Sequence, residues 1–197
     1  MKIRKIFVSL VTAGLALTAY VSAVGAAEIS GVKFEDKITV AGKTLVLNGL
    51  GVRQILFFKG YAAALYLTEK KTSPEAVQAL ETPRRIVLHI LREKIDPDEL
   101  GQLFIAGMNK NSTKEQKSKV INQTVKFGEM FAAQEPIKKD EVLTLDWVPG
   151  SGTVSTRNGK QIGETLPGAE FYNAVLRIWL GESPVQKDLK KGLLSGG

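Results

Sequence analysis

The stretch NGLGVRQILFFKGYAAALYL, residues 48–67, decides how the chain is interpreted. Its aliphatic and aromatic residues favour β-structure, and they predict two strands over 50–57 and 60–68. Lys59-Gly60 is the expected turn between them. A hairpin of this kind would return residues of the second strand to the side of the first.

Arg53 is the single arginine of this stretch. A guanidinium that leaves an apolar surface is costly unless a carboxylate or several acceptors pair with it. No acid occurs between Asp36 and Glu69, so a partner must come from far along the chain or from a ligand. The planar fork of arginine suits a carboxylate or an enolate-like oxygen. The alternative is an arginine that extends along the sheet edge into solvent.

Three tyrosines are candidates to share a ligand site with Arg53. Tyr61 has the same strand parity as Arg53 and is the first choice, with Tyr66 as the second, although Tyr66 also fits a core position. Tyr172 lies on a predicted helix with Phe171 and Trp179. Aromatic residues at helical spacing are usually core, but they could also form one wall of an apolar pocket.

The rest of the chain predicts an α+β fold, an antiparallel sheet with helices on one face. Turn and capping signals support its elements, among them Ala41-Gly42-Lys43, the helix cap Asp96-Pro97 and the Asn158-Gly159 turn. The expected elements are a hairpin over 28–47, a helix over 73–80, a strand over 84–91, a helix from Asp96, a helix over 113–133, a strand over 141–148, a hairpin over 153–163, a helix over 169–180 and a frayed tail.

The chain start has the order of a secretory signal peptide. Three basic residues precede the apolar run 6–24, and small residues follow, which predicts cleavage after Ala26 or Ala27 and a mature domain over 28–194 in the periplasm. An uncleaved membrane anchor is the alternative. Removing residues 1–26 lowers the formal net charge from +7 to 24 − 20 = +4. No later segment is apolar enough to cross a membrane.

Several function classes find no support in the sequence. The chain has no cysteine, no Gly-x-Ser-x-Gly motif and one histidine, His89, in a predicted strand. Asp96 and Asp98 fit a helix start better than an acid–base pair. No concentrated basic stripe with interleaved aromatic residues indicates nucleic-acid binding. We therefore expect no catalytic residue, metal, cofactor or nucleic-acid partner.

Several segments together resemble the chalcone isomerase-like superfamily, and within it a bacterial exported branch. The similarity spans about residues 30–194. It is carried by Gly49-Leu50-Gly51-Val52-Arg53, Phe57–Leu67, Asp146–Thr153, Asn158-Gly159-Lys160, Phe171–Gly181 and Ser183-Pro184.

This resemblance implies an open-faced β-sandwich with a cleft between sheet and helices. Some members of the superfamily close a flavanone ring, whereas others bind fatty acids through an arginine and a tyrosine. Arg53 matches the arginine that both share. The catalytic tyrosine of the enzyme has no counterpart, because its place reads Arg92-Glu93-Lys94, and Tyr61 stands where the enzyme has a threonine.

The leading hypothesis is an exported, non-catalytic binding protein for a small amphipathic carboxylic acid. Arg53 and Tyr61 would hold the carboxylate, and the apolar tail would lie between sheet and helices. The alternatives are an intramolecular lyase of the chalcone isomerase type and a structural or partner-binding envelope protein. We expect a monomer.

Overall fold

The computed structural model describes residues 25–196, so the signal-peptide prediction for residues 1–24 lies outside the described part. The strands are β1 (Ala26–Ile29), β2 (Val32–Glu35), β3 (Lys37–Val40), β4 (Lys43–Ile55), β5 (Phe58–Leu67), β6 (Arg84–Ile90), β7 (Lys94–Ile95), β8 (Ile137–Lys138), β9 (Val142–Val148), β10 (Gly152–Arg157) and β11 (Lys160–Gln161). The helices are α1 (Pro74–Gln78), α2 (Pro97–Lys110), α3 (Lys114–Lys119), α4 (Ile121–Ala132), α5 (Ala169–Leu180) and α6 (Lys187–Leu193).

A seven-stranded antiparallel sheet in the order β11-β10-β9-β6-β5-β4-β3 forms the centre of the fold. Alternate residues of β5 serve two separate cores. Ala63 and Leu65 face the helices, whereas Ala64 and Tyr66 face the small β1–β2 hairpin on the other side. The predicted α+β fold, an open-faced sandwich with helices on one face of an antiparallel sheet, is therefore confirmed.

A β-bulge at Asn48 divides β4 into two halves. Leu47 pairs with Tyr66 on the outer face, but Gly49 already pairs with Leu65 on the helix face. The Asn48 side chain is fully buried, donates to the backbone oxygens of Lys71 and Leu193 at 2.9 and 2.8 Å, and accepts from the Lys71 amide. Side chains of a strand alternate between the two faces of the sheet. This one unpaired residue reverses the alternation for the rest of β4, so that residues which an unbroken alternation would place on the outer face lie on the helix face.

The predicted turn at Lys59-Gly60 is wrong. Strand β4 continues unbroken from Lys43 to Ile55, and the turn is Leu56-Phe57, between the paired residues Ile55 and Phe58. Leu56 has φ +54°, a conformation that glycine adopts far more readily. The sequence signal for a turn at Lys59-Gly60 marks a bulge instead, because Gly60 has no partner in the register.

Two helical predictions also need correction. The helix expected over 113–133 is broken at Val120, which has φ −122° and turns its buried side chain into the core. The tail expected to be frayed forms α6, and its Leu189 and Leu193 are buried. Helix α6 packs so closely on β4 that a Cβ added at Gly49 would lie 2.2 Å from the Gly192 oxygen.

Candidate functional site

A cavity of about 110 Å³ lies between the β4–β5 hairpin and helices α2 and α5. Strand β4 contributes Arg53 and β5 contributes Tyr61, and the two residues face each other in the strand register. Apolar side chains from the helices and the segments beside them form most of the remaining wall, namely Ile95, Leu100, Leu103, Phe104, Ile178 and Val185. The cavity is thus apolar with polar groups at one side, as ligand sites commonly are.

Arg53 faces this cavity because two bulges bring it there. The bulge at Asn48 turns it to the helix face, and the unpaired Gly60 shifts the register so that Arg53 lies opposite Tyr61. Its Nη1 donates to the backbone oxygen of Gln54 at 2.7 Å and to Gln186 Oε1 at 3.3 Å. Within residues 25–196, no carboxylate lies within ion-pair distance of Arg53, and its Nε and Nη2 groups have no protein acceptor.

The hydroxyl of Tyr61 is oriented by a hydrogen bond from a helix residue. The indole Nε1 of Trp179, on α5, donates to the Tyr61 oxygen at 2.9 Å. Burial raises the pKa of Tyr61 to about 12, against the opposing effects of the Trp179 hydrogen bond and the Arg53 charge. Tyr61 is therefore neutral at ordinary pH. Since its oxygen already accepts from Trp179, and its proton has no acceptor among the described residues, it can donate to a ligand oxygen.

Arg92 and Glu99 also line the cavity, although neither is among the binding residues predicted from the sequence. Arg92 follows β6 and its amide donates to the backbone oxygen of Gly60, which fixes it at the cavity rim. Both side chains are exposed.

An open groove of about 910 Å³ continues from the cavity beneath the hairpin turn. The two spaces share Ile55, Gly60 and Arg92 as lining residues. Phe58 and Leu91 add apolar surface to the groove. A ligand whose head occupies the cavity could therefore extend its tail into the groove without crossing the core.

The structure does not bring Tyr66 and Tyr172 to this cavity. Tyr66 lies on the outer face of the sheet and donates to the Glu35 backbone oxygen at 2.9 Å. Tyr172 is fully buried below the sheet and donates to the backbone oxygens of Arg84 and Leu145 at 3.2 and 3.1 Å. Their hydroxyls are occupied by these backbone partners, which is typical of core tyrosines.

Arg84 is a second arginine without a carboxylate partner among the described residues. It is 1% exposed, donates to Val77 and Asn173 at 3.0 and 2.9 Å, and lies over the Tyr172 ring at 5.0 Å. Several acceptors and an aromatic face thus stabilise its charge without a ligand. The contrast with Arg53, which faces a cavity, separates a structural arginine from a candidate binding residue.

Comparison with known proteins agrees with this architecture. No curated protein matches the sequence. Among solved structures, the crystal structure of a fatty-acid binding protein from Arabidopsis thaliana is similar, with a TM-score of 0.65 and 15% identity, covering 86% of this chain and 96% of that one. At this identity the likeness establishes the fold. The sequence also matches the chalcone isomerase-like family over residues 26–195, and the chain therefore belongs to that family.

Proposed function

We propose that this protein is an exported, non-catalytic binder of a small amphipathic carboxylic acid of the fatty-acid type. The carboxylate would lie between Arg53 and Tyr61, and the tail would follow the apolar wall formed by α2 and α5. The proposed location is the periplasm, and it rests on the basic start and the apolar run before residue 25. No helix of the described part is long and apolar enough to span a bilayer.

The observation that carries this proposal is the set of free donors at one side of an apolar cavity. The Nε and Nη2 groups of Arg53 form the edge that binds a carboxylate in a bidentate manner. Tyr61 can add a third donor from the neighbouring strand, because Trp179 already occupies its oxygen. A purely structural role would be favoured by a carboxylate on Arg53 and a filled cleft, and neither is found within residues 25–196.

Cavity size limits which acids fit. A volume of about 110 Å³ is less than the ~150 Å³ of a cavity known to bind benzene. The cavity itself therefore accommodates a carboxylate and the first few carbons of a chain. Longer tails would continue past Ile55 and Gly60 into the open groove, whose far larger volume is in the range of ligand pockets. We expect tolerance of chain length beyond the first carbons.

The similar fatty-acid binding protein from Arabidopsis thaliana supports this class of ligand. The combination of an arginine and a tyrosine at adjacent strand positions supports it independently, because it depends only on this chain. A test begins with native mass spectrometry of protein purified under mild conditions, followed by identification of any small molecule released on denaturation. Saturated acids of increasing length are then added while the melting temperature is recorded.

A ligand that binds the folded state raises the melting temperature in proportion to the logarithm of its concentration. We expect such a rise for the acids and none for the matching alcohols, and Arg53→Gln should abolish it. Lys43→Gln, an exposed cation at the far end of the same strand, is the matched control. The proposal fails if purified protein carries no amphiphile and acids leave the melting temperature unchanged.

Ring closure of the chalcone isomerase type is a second candidate, favoured by the same two donors. Arg53 and Tyr61 could stabilise an oxyanion as well as a carboxylate. However, the high pKa of Tyr61 suits it to donate a hydrogen bond and not to act as a base near neutral pH. Incubation with a hydroxychalcone separates the two candidates. Cyclisation above the uncatalysed rate that Arg53→Gln abolishes would favour the lyase.

A further inference from the structure

The turn of the β4–β5 hairpin exposes four large apolar side chains in succession. Ile55, Leu56, Phe57 and Phe58 are 41%, 87%, 98% and 72% exposed. We call residues 55–58 the apolar tip. Contiguous apolar surface of this kind marks an interaction site on a soluble domain more often than chance exposure.

Backbone geometry adds to the unusual character of the tip. Leu56 has φ +54°, a conformation in which a branched side chain is strained and in which glycine or asparagine is usual. The sequence thus places large apolar residues where neither folding nor turn formation favours them. Conflict between local preference and structure of this kind is expected at functional positions.

Cations surround the groove beside the apolar tip. Lys59, Arg92 and Lys94 line it together with one acid, Glu93. Glu93 is paired with Lys139 at 3.0 Å, so its charge is compensated. The surface that the tip presents is therefore apolar at its end and positive behind it.

We propose that the apolar tip docks on the surface of a lipid bilayer that contains anionic phospholipids. Phe57 and Leu56 would enter the boundary between headgroups and acyl chains, where aromatic residues are favoured. Lys59, Arg92 and Lys94 would remain at the level of the phosphates, as basic residues do beside interfacial anchors. Charge complementarity selects an anionic bilayer over an apolar protein partner, which would leave these cations without counter-charges.

Docking in this orientation would bring the ligand site to the membrane. The groove runs from the tip to the cavity of Arg53 and Tyr61 through Ile55, Gly60 and Arg92. A bound acid could then pass between bilayer and cavity along the groove with its tail covered. This last step rests on the proposed function, whereas docking itself rests on the tip and its cations alone.

The test measures binding to vesicles by co-sedimentation. Wild-type protein is mixed with vesicles of phosphatidylethanolamine and phosphatidylglycerol, or with vesicles of phosphatidylcholine alone. We expect binding to the anionic vesicles that weakens as salt is added. The variant L56S/F57S should bind about tenfold more weakly or worse, since it loses two interfacial apolar side chains.

The matched control is I121S/V125S, which removes two exposed apolar side chains from α4, 60% and 52% exposed. It should bind as wild type does, and all variants are prepared with the same N-terminus so that residues before 25 contribute equally. In addition, Phe57→Trp should give a blue-shifted emission on adding anionic vesicles, quenched by brominated acyl chains. A polar environment for this tryptophan in the bound state would overturn the proposal.

Two further outcomes decide against membrane docking. One is equal vesicle binding by wild type, the tip variant and the α4 control. The other is a wild-type dimer in sedimentation equilibrium that L56S/F57S dissociates, which would assign the tip to a second copy of the chain. Arg53→Gln separates this proposal from the ligand proposal, since it should bind vesicles normally even where it no longer binds acids.

Discussion

The indole of Trp179 donates a hydrogen bond of 2.9 Å to the hydroxyl oxygen of Tyr61. This contact joins α5 to the central sheet. It also determines whether the hydroxyl of Tyr61 donates to a ligand or accepts from it. The oxygen is occupied and the proton is available. Binding at this position thus depends on a residue that does not line the cavity itself.

Tyr61→Phe removes the proposed third donor while keeping the ring. We expect acid binding to weaken by about ten- to a hundredfold, the effect of one hydrogen bond to a carboxylate. Folding should also lose about 1–3 kcal/mol, because the buried Trp179 nitrogen loses its acceptor. Titration calorimetry and urea unfolding measure the two effects.

The double variant Y61F/W179F separates these contributions. Replacing both partners removes the unsatisfied nitrogen but adds a cavity, so the two changes should not be additive in a double-mutant cycle. Ligand affinity should not fall beyond that of Tyr61→Phe if Trp179 acts only through Tyr61. A further loss of affinity would show that Trp179 contributes to the site in its own right.

High pH should destabilise the protein through its buried tyrosines. Burial raises the pKa of Tyr61 and of Tyr66 to about 12, and it raises the pKa of Tyr172 as well. Below about pH 10, the ordinary pKa of tyrosine, these three tyrosines are protonated in both the folded and the unfolded chain. Their contribution to the free energy of unfolding is then fully present. Between about pH 10 and 12 the unfolded chain releases protons that the folded chain retains, so stability falls as pH rises.

Each fully buried tyrosine contributes a slope of up to about 1.4 kcal/mol per pH unit in that window. Urea unfolding between pH 8 and 11 measures the total slope, and Tyr61→Phe should reduce it. Phenolate absorbance offers a second check, since all three tyrosines of the described part are buried. Titration of these groups before unfolding would contradict their placement.

Asn48→Ala should destabilise the fold by about 2–4 kcal/mol, since it removes three hydrogen bonds and leaves the buried oxygen of Leu193 and the partly buried backbone groups of Lys71 without their partner. Asn122→Ala, an exposed position on α4, is the control and should change stability little. Urea midpoints provide the comparison. An effect of Asn48→Ala as small as the control would show that the bulge does not need its side chain.

Deleting residues 187–197 should also destabilise the protein. The deletion exposes β4 and removes Leu189 and Leu193, two side chains that are 1% and 0% exposed. We expect a loss of about 3–6 kcal/mol from their burial alone. A shorter deletion of residues 196–197 serves as control and should leave the thermal midpoint unchanged.

Local signals explain what could be predicted from the sequence. The turns at Ala41-Gly42 and Asn158-Gly159 and the Asp96 cap depend on few neighbours, and the structure contains all of them. The tail could not be predicted in this way. Helix α6 is short, and its formation depends on the space that Gly49 and Gly51 leave on β4, which lies far away in the sequence.

In the candidate site, too, one part of the arrangement could be predicted from the sequence and another could not. Tyr61 was matched to Arg53 by strand parity, and the two residues are indeed paired. The cause differs from the expected one, because the turn lies at Leu56-Phe57 and the unpaired Gly60 restores the register. The glycine at position 60 fits a turn as well as a bulge, and Asn48 could equally be an ordinary strand residue, so the tyrosine opposite Arg53 could be assigned only from the pairing of the strands.

The bulge at Asn48 also has a consequence for comparing this chain with its relatives. A homologue that lacks the extra residue between the positions of Leu47 and Gly49 would need no bulge, and its arginine would still face the cavity. An alignment that places no gap in this column would then be displaced by one residue along β4 and would pair residues from opposite sides of the sheet. Sequence comparisons across the family should therefore be anchored separately on each side of residue 48 before an arginine is counted as shared.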